Sequence, residues 1–152
     1  MPKTTTPAPK KITYFEAVGR RKSAVARVRL YLNPKFHKKP VIDGKIGDFF
    51  VNWKKAETYF PSVAYQKLYL EPFLLTESLE RFLVLYIVKG GGLVGQLEAI
   101  RLASARALEK VNPEYRPVLK SHALLTVDAR VRERRKVGMG GKARRKRQSP
   151  KR

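Results

Sequence analysis

Phe82-Leu83-Val84-Leu85-Tyr86-Ile87-Val88-Lys89-Gly90-Gly91-Gly92-Leu93-Val94-Gly95-Gln96 is the stretch on which the fold turns. Its apolar half, Phe82 to Val88, is unbroken rather than alternating, as in a central strand covered on both faces. It is far shorter than the roughly 20 apolar residues needed to cross a bilayer. The glycines after it release the chain into a helix that runs to Asn112-Pro113. Along that helix Leu93, Leu97, Ile100, Ala107, Leu108 and Val111 recur at the 3.6-residue period, while Glu98, Arg106, Glu109 and Lys110 turn away. Leu102 falls on the polar side.

Upstream, Thr13 to Val18 and Ser23 to Leu32 read as strands. The second alternates Ala24, Ala26, Val28, Leu30 and Leu32 with Val25, Arg27, Arg29 and Tyr31, so its outward face is cationic. Gly19-Arg20-Arg21-Lys22 fits the connection between them, with the glycine supplying a positive φ. Pro40 to Ile42, the Asp43-Gly44 turn and Lys45-Ile46 predict a third short strand or hairpin. From Gly47 to Leu79, residues Phe49, Phe50, Trp53, Tyr59, Phe60, Tyr65 and Leu68 read as core faces of short helices interrupted at Pro61 and Pro72. Downstream, Asn112 to Pro117 reads as a turn.

The chain has 152 residues, with 34 Lys+Arg against 12 Asp+Glu and a net charge of +22. A charge of that size calls for a polyanionic partner, and nucleic acid is the commonest one. With 43% hydrophobic residues there is also a core to bury. Arg130 to Arg152 holds 12 of the cations and a single acid, Glu133, so half of the net charge lies in the tail. Having no aromatic residue, the tail orders only on a partner. The division expected is an arm over 1–12, a globular body over 13–129 and an extended basic tail over 130–152. Met1 to Lys11 has no apolar core of a secretory signal. With no cysteine, disulfide frameworks, thiolate metal sites and cysteine nucleophiles are excluded.

Gly90-Gly91-Gly92-Leu93-Val94-Gly95 matches G-x-G-x-x-G, but Glu114, about where a ribose-binding acid belongs, lies in a turn rather than at a strand end. The Walker pattern fails because Gln96 and Leu97 replace Lys and Ser/Thr. What remains is a loop whose backbone N–H groups can meet an anion at a helix N-terminus, or a close packing of strand on helix. His37 and His122 are not spaced as metal ligands, and Ser121 beside His122 cannot form a triad. Most carboxylates alternate with cations, as in Glu80-Arg81, Glu109-Lys110 and Glu133 between Arg132 and Arg134, a pattern of solvated surface.

The basic clusters carry more information. Arg20, Arg21 and Lys22 sit at a hairpin tip beside Arg27 and Arg29, placed to straddle a phosphate backbone. In the tail, Arg130, Arg132, Arg134, Arg135 and Lys136 are separated by Gly138-Met139-Gly140-Gly141 from Lys142, Arg144, Arg145, Lys146 and Arg147. Glycines between two such blocks let the chain change direction along a groove, and arginines suit bidentate phosphate contacts. A phosphate-binding enzyme built on Gly90–Gly95 and a nonspecific DNA-compacting protein stay open as readings of another class.

These residues resemble the ribosomal small-subunit protein S-nine family. Three blocks carry the resemblance. They are Gly19-Arg20-Arg21-Lys22-Ser23-Ala24-Val25-Ala26-Arg27-Val28, then Gly90 to Gln96 continuing through Ala99-Ile100-Arg101 to Ala105-Arg106-Ala107-Leu108, and Leu124-Leu125-Thr126-Val127-Asp128 with Arg130, Glu133 to Lys136 and Gly138. The resemblance implies an α+β two-layer fold like the second domain of ribosomal protein S-five, with helices packed on a four-stranded sheet. It implies a structural constituent of the small subunit, not an enzyme, with no cofactor, metal, membrane or small-molecule substrate. The partners implied are rRNA of the 3′ major domain, neighbouring head proteins and P-site tRNA, in the cytoplasmic ribosome of a bacterium or in an organellar one. The rRNA-binding positions are then the clusters above together with Gly90, Gly91, Gly92, Gln96 and Arg101, and Lys151 and Arg152 lie nearest tRNA. The family usually closes on Gln, an aromatic, Ser, Lys and Arg; here Gln148-Ser149-Pro150-Lys151-Arg152 lacks the ring.

Overall fold

A computed structural model of the chain describes residues 14–32 and 44–138. Two long strands open it, β1 (Tyr14–Arg21) and β2 (Ala24–Tyr31), paired antiparallel from Tyr14↔Tyr31 to Arg21↔Ala24. The turn is therefore Lys22-Ser23, and Lys22, not Gly19, takes the positive φ of 53°. Gly19 is a strand residue opposite Ala26. Next come β3 (Phe49–Val51), the two-residue β4 (Lys54–Lys55), α1 (Ala56–Tyr59), α2 (Val63–Leu75), β5 (Leu83–Lys89) and α3 (Leu93–Val111). A 3-10 turn over Pro113–Tyr115 leads into α4 (Arg116–Ser121).

The expected α+β architecture holds, with one correction: the sheet has five strands, in the order β1-β2-β5-β3-β4. The central place of β5 is as the apolar run predicted, and Leu83 to Tyr86 and Val88 are buried. It runs antiparallel to β2 and parallel to β3, the latter link carried through α2. Phe49 and Phe50, expected on helices, lie in β3. There Phe49 packs edge-on against Phe73 of α2 while Phe50 faces the other side of the sheet. Trp53 and Leu68 are 45% and 39% exposed, not core residues. Pro61 precedes α2, but Pro72 lies inside it and is buried. Having no N–H, Pro72 cannot donate the helical hydrogen bond to the Leu68 carbonyl, a single loss near the end of the helix. The strand or hairpin expected around Pro40 lies mostly outside the described residues. Its remainder, Gly44 to Gly47, forms no strand.

α3 is buried far beyond the single predicted stripe, because it packs on β1, β2 and α2 together. Leu102 and Ser104, assigned to no apolar face by periodicity, are 6% and 0% exposed, whereas Leu93 is 52% exposed. The contact with β1 is so close that a Cβ at Gly19 would run into the Ala99 carbonyl oxygen and come within 2.6 Å of the Ala103 backbone nitrogen. From α3, Arg106 donates to the Val18 carbonyl at 2.8 Å and Lys110 to that of Glu16 at 2.8 Å. Ser104 and the fully buried Tyr86 share a hydroxyl–hydroxyl hydrogen bond of 2.8 Å across the core. Replacing Ser104 by Ala orphans the Tyr86 hydroxyl, and chemical denaturation of this variant is expected to show a loss of about 1–3 kcal/mol. Stability equal to wild type would mean that water or another acceptor serves Tyr86.

Candidate nucleic-acid interface

The hairpin tip and the segment after α4 meet because each is pinned to the core. Leu119 and Leu124 are buried, and Ala123 at φ 54° turns the chain after α4, with Leu124 N–H donating to the Leu119 carbonyl at 3.0 Å. The chain then runs past the tip without helix or strand through Lys136. Arg21 on β1 is the joint. Its Nε lies 2.5 Å from Glu98 Oε2 of α3, and its Nη1 lies 3.1 Å from Asp128 Oδ1. Asp128 in turn accepts from the Arg130 backbone N–H at 2.9 Å and from Arg130 Nη2 at 2.6 Å. Those hydrogen bonds from Arg130, with the charge of Arg21 added, hold the Asp128 carboxyl well below the usual carboxylate range.

The result is a cleft of about 650 Å³ between tip and tail root, lined by Arg21, Lys22, Ser23, Arg130, Val131 and Arg132, with no carboxylate among them. A smaller groove of about 300 Å³ lies alongside, where Arg20, Arg101 and Arg130 share the wall with Glu98 and Asp128. Such a concentration of guanidinium groups suits phosphate oxygens, which accept two parallel N–H bonds from one fork.

The predicted positions differ in state. Arg20 and Lys22 are exposed at the tip, and Arg130, Arg132, Arg134, Arg135 and Lys136 are exposed along the tail root, Arg130 while paired with Asp128. Arg21, Arg27, Arg29 and Arg101 are engaged with carboxylates: Arg29 Nε lies 2.7 Å and Arg27 Nε 3.5 Å from Glu16, and Arg101 Nε 2.6 Å from Glu71. Lys142, Arg144, Arg145, Lys146, Arg147, Lys151 and Arg152 lie outside the described residues, as does His37. His122 is exposed at the end of α4, and the Ser121 hydroxyl donates to the Val118 carbonyl.

The glycine loop has a packing role. Gly90 and Gly91 adopt φ of 71° and 68°, and a Cβ on either would press on the Ser23–Ala24 backbone, 2.6 Å from the Ser23 carbonyl oxygen in one case and 3.0 Å from the Ala24 nitrogen in the other. The glycines are thus required by the close packing of this loop on the Ser23–Ala24 segment. Gln96 ties the loop down: its amide donates to the Gly90 carbonyl at 3.0 Å, and its oxygen accepts from the Tyr59 hydroxyl at 2.8 Å. Gly92 alone stands in open space, at the N-terminus of α3. Sequence reasoning missed the bridging role of Asp128. The available signal was an aspartate two residues before Arg130, a spacing at which its side chain reaches the backbone N–H.

Comparison with known proteins gives the same direction. The profile of the family described as ribosomal protein S9/S16 matches residues 19–152. A relative from Mycoplasmopsis synoviae (strain 53), "Small ribosomal subunit protein uS9", is 44% identical over 138 residues, covering 91% of this chain and 95% of that protein. Another protein of that name, from Rhodococcus opacus (strain B4), is 44% identical over 125 residues, covering 82% of this chain and 66% of its own length.

Proposed function

The chain belongs to the ribosomal protein S9/S16 family, whose members are structural rather than enzymatic, and from that premise we propose that it binds rRNA in the head of the small subunit through one continuous cationic surface. The observation that carries this reading is the clustering of Arg21, Lys22, Arg130 and Arg132 around one cleft at the root of the most basic part of the chain. Arg20, Lys22 and the cations from Arg130 to Lys136 contact phosphates. Arg21 and Arg101 build the wall, and Gly90, Gly91 and Gln96 support the tip from below. Lys142 to Arg147 continue along RNA of the 3′ major domain, and Lys151 and Arg152 reach the backbone of P-site tRNA. Both relatives named above are bacterial, which supports a place in the cytoplasmic ribosome of a bacterium, with other head proteins as neighbours.

The test is sedimentation of the tagged chain from lysate through high salt, with crosslinks from the tail mapped on the attached RNA. Migration with small subunits and crosslinks running from head rRNA to tRNA are expected. Free protein, or crosslinks scattered over DNA, would overturn the assignment. Small-subunit crosslinks that never include tRNA would remove only the role given to Lys151 and Arg152.

A further inference from the structure

The only tryptophan of the chain sits where its backbone is unfavourable. Between β3 and β4 the chain reverses through Asn52 and Trp53, with φ of 46° and 70°, both left-handed as a two-residue hairpin of this twist requires. Asparagine tolerates that region, but a bulky aromatic residue there is strained, and glycine fits without cost. The turn is also held firmly. Asn52 N–H donates to the Tyr86 carbonyl at 2.9 Å, its side-chain amide donates to the Val88 carbonyl at 3.1 Å, and its side-chain oxygen accepts from Val88 N–H at 2.9 Å. Trp53 is thereby fixed at the end of β5 from which Lys89 and the glycine loop spring, and it is 45% exposed. Lys54, Lys55 and Lys89 nearby are all exposed. No aromatic or cationic group of the described residues stacks on the indole.

We propose that Trp53 is a stacking platform for an unpaired RNA base, with Lys54 and Lys55 serving the flanking phosphates; this rests on the RNA-binding reading above. Strain retained in a rigid turn points to a use that glycine could not supply. An exposed aromatic ring followed in sequence by exposed lysines is a combination that suits single-stranded nucleic acid without regard to sequence. An apolar protein partner would gain nothing from the two lysines.

Because Trp53 is the sole tryptophan, its fluorescence reports on this site alone. The full chain is titrated with a transcript of the small-subunit 3′ major domain and, separately, with a single-stranded oligoadenylate, as wild type, Trp53→Gly and Trp53→Phe. Quenching at saturation is expected with both RNAs. Trp53→Gly should melt at a higher temperature yet bind roughly 5- to 150-fold more weakly, with Trp53→Phe in between. A purely structural tryptophan would not link greater stability to weaker binding. Wild-type affinity in Trp53→Gly, or unquenched fluorescence at saturating RNA, would overturn the platform. Quenching seen only in assembled subunits would overturn it in favour of a protein neighbour. If wild type does not prefer the ribosomal transcript over unrelated RNA of equal length, the ribosomal reading fails, and the oligoadenylate titration still decides the platform.

Discussion

Gly19→Ala is expected to cost about 3 kcal/mol or more and to lower the melting temperature by 10 °C or beyond. Overpacking a core ordinarily costs about 1–3 kcal/mol, because side chains can rotate away from the added methyl. Here the obstacles are backbone atoms of α3, at Ala99 and Ala103, which move only if the whole helix moves. Retracting α3 would open the contact that buries Ala99 and Ala103 against β1 and β2, and total stability is only about 5–15 kcal/mol. Gly92→Ser is the matched control. It adds a side chain in open space at the N-terminus of α3 and should leave the melting temperature unchanged or slightly raised. Parallel thermal melts decide the matter, and a Gly19→Ala curve within a degree or two of wild type would mean that α3 does not lie on β1 at this distance.

Removal of Met139 to Arg152 is expected to have the largest effect on RNA binding. That segment holds Lys142, Arg144, Arg145, Lys146, Arg147, Lys151 and Arg152 and no acid. Each phosphate contact contributes roughly 0.7–0.9 to the slope of log affinity against log salt, so a segment lying along RNA for its full length contributes about 5–6. Filter binding of full-length and truncated chains over a salt series should show that flattening. The loss should extend across unrelated RNA sequences, because phosphate contacts carry no base information. An unchanged slope would show that the tail does not neutralise phosphates. Melting temperature should stay near wild type, since the helices and strands of the described residues lie between Tyr14 and Ser121.

Much of this molecule was legible because its main signals are local. Seven consecutive apolar or aromatic residues from Phe82 to Val88, then glycines, then a helical period, describe β5 and α3 without reference to the rest of the chain. The separation of charge between body and tail is equally local. Gly19 was misread because a glycine serving a close helix crossing and a glycine serving a turn are written with the same letter, and the turn conformation fell to Lys22 instead. Phe49 to Val51 was misread because three residues are too few to show a period.

Candidate-site residues were located by type but not by state. Arg21 meets Glu98, 77 positions away, and Arg101 meets Glu71, 30 positions away. Pairings of that range are made by the fold. Glu109 and Lys110, adjacent in the sequence, find other partners: Glu109 binds Arg116, and Lys110 reaches a β1 carbonyl. Trp53 was assigned to the core on its chemistry alone, and nothing in its neighbours announced that the backbone would reverse beneath it.

The hydrogen bonds from Arg106 and Lys110 to Val18 and Glu16 bear on the life of the chain away from RNA. β1 is an outer strand, and carbonyls left free there are a template on which a second copy can add its own strand. At Glu16 and Val18 those acceptors are already occupied by cations from α3, and the opposite margin is only the two lysines of β4. A copy newly released from synthesis thus meets others with both margins blunted against edge-to-edge pairing, before any partner of opposite charge has covered it.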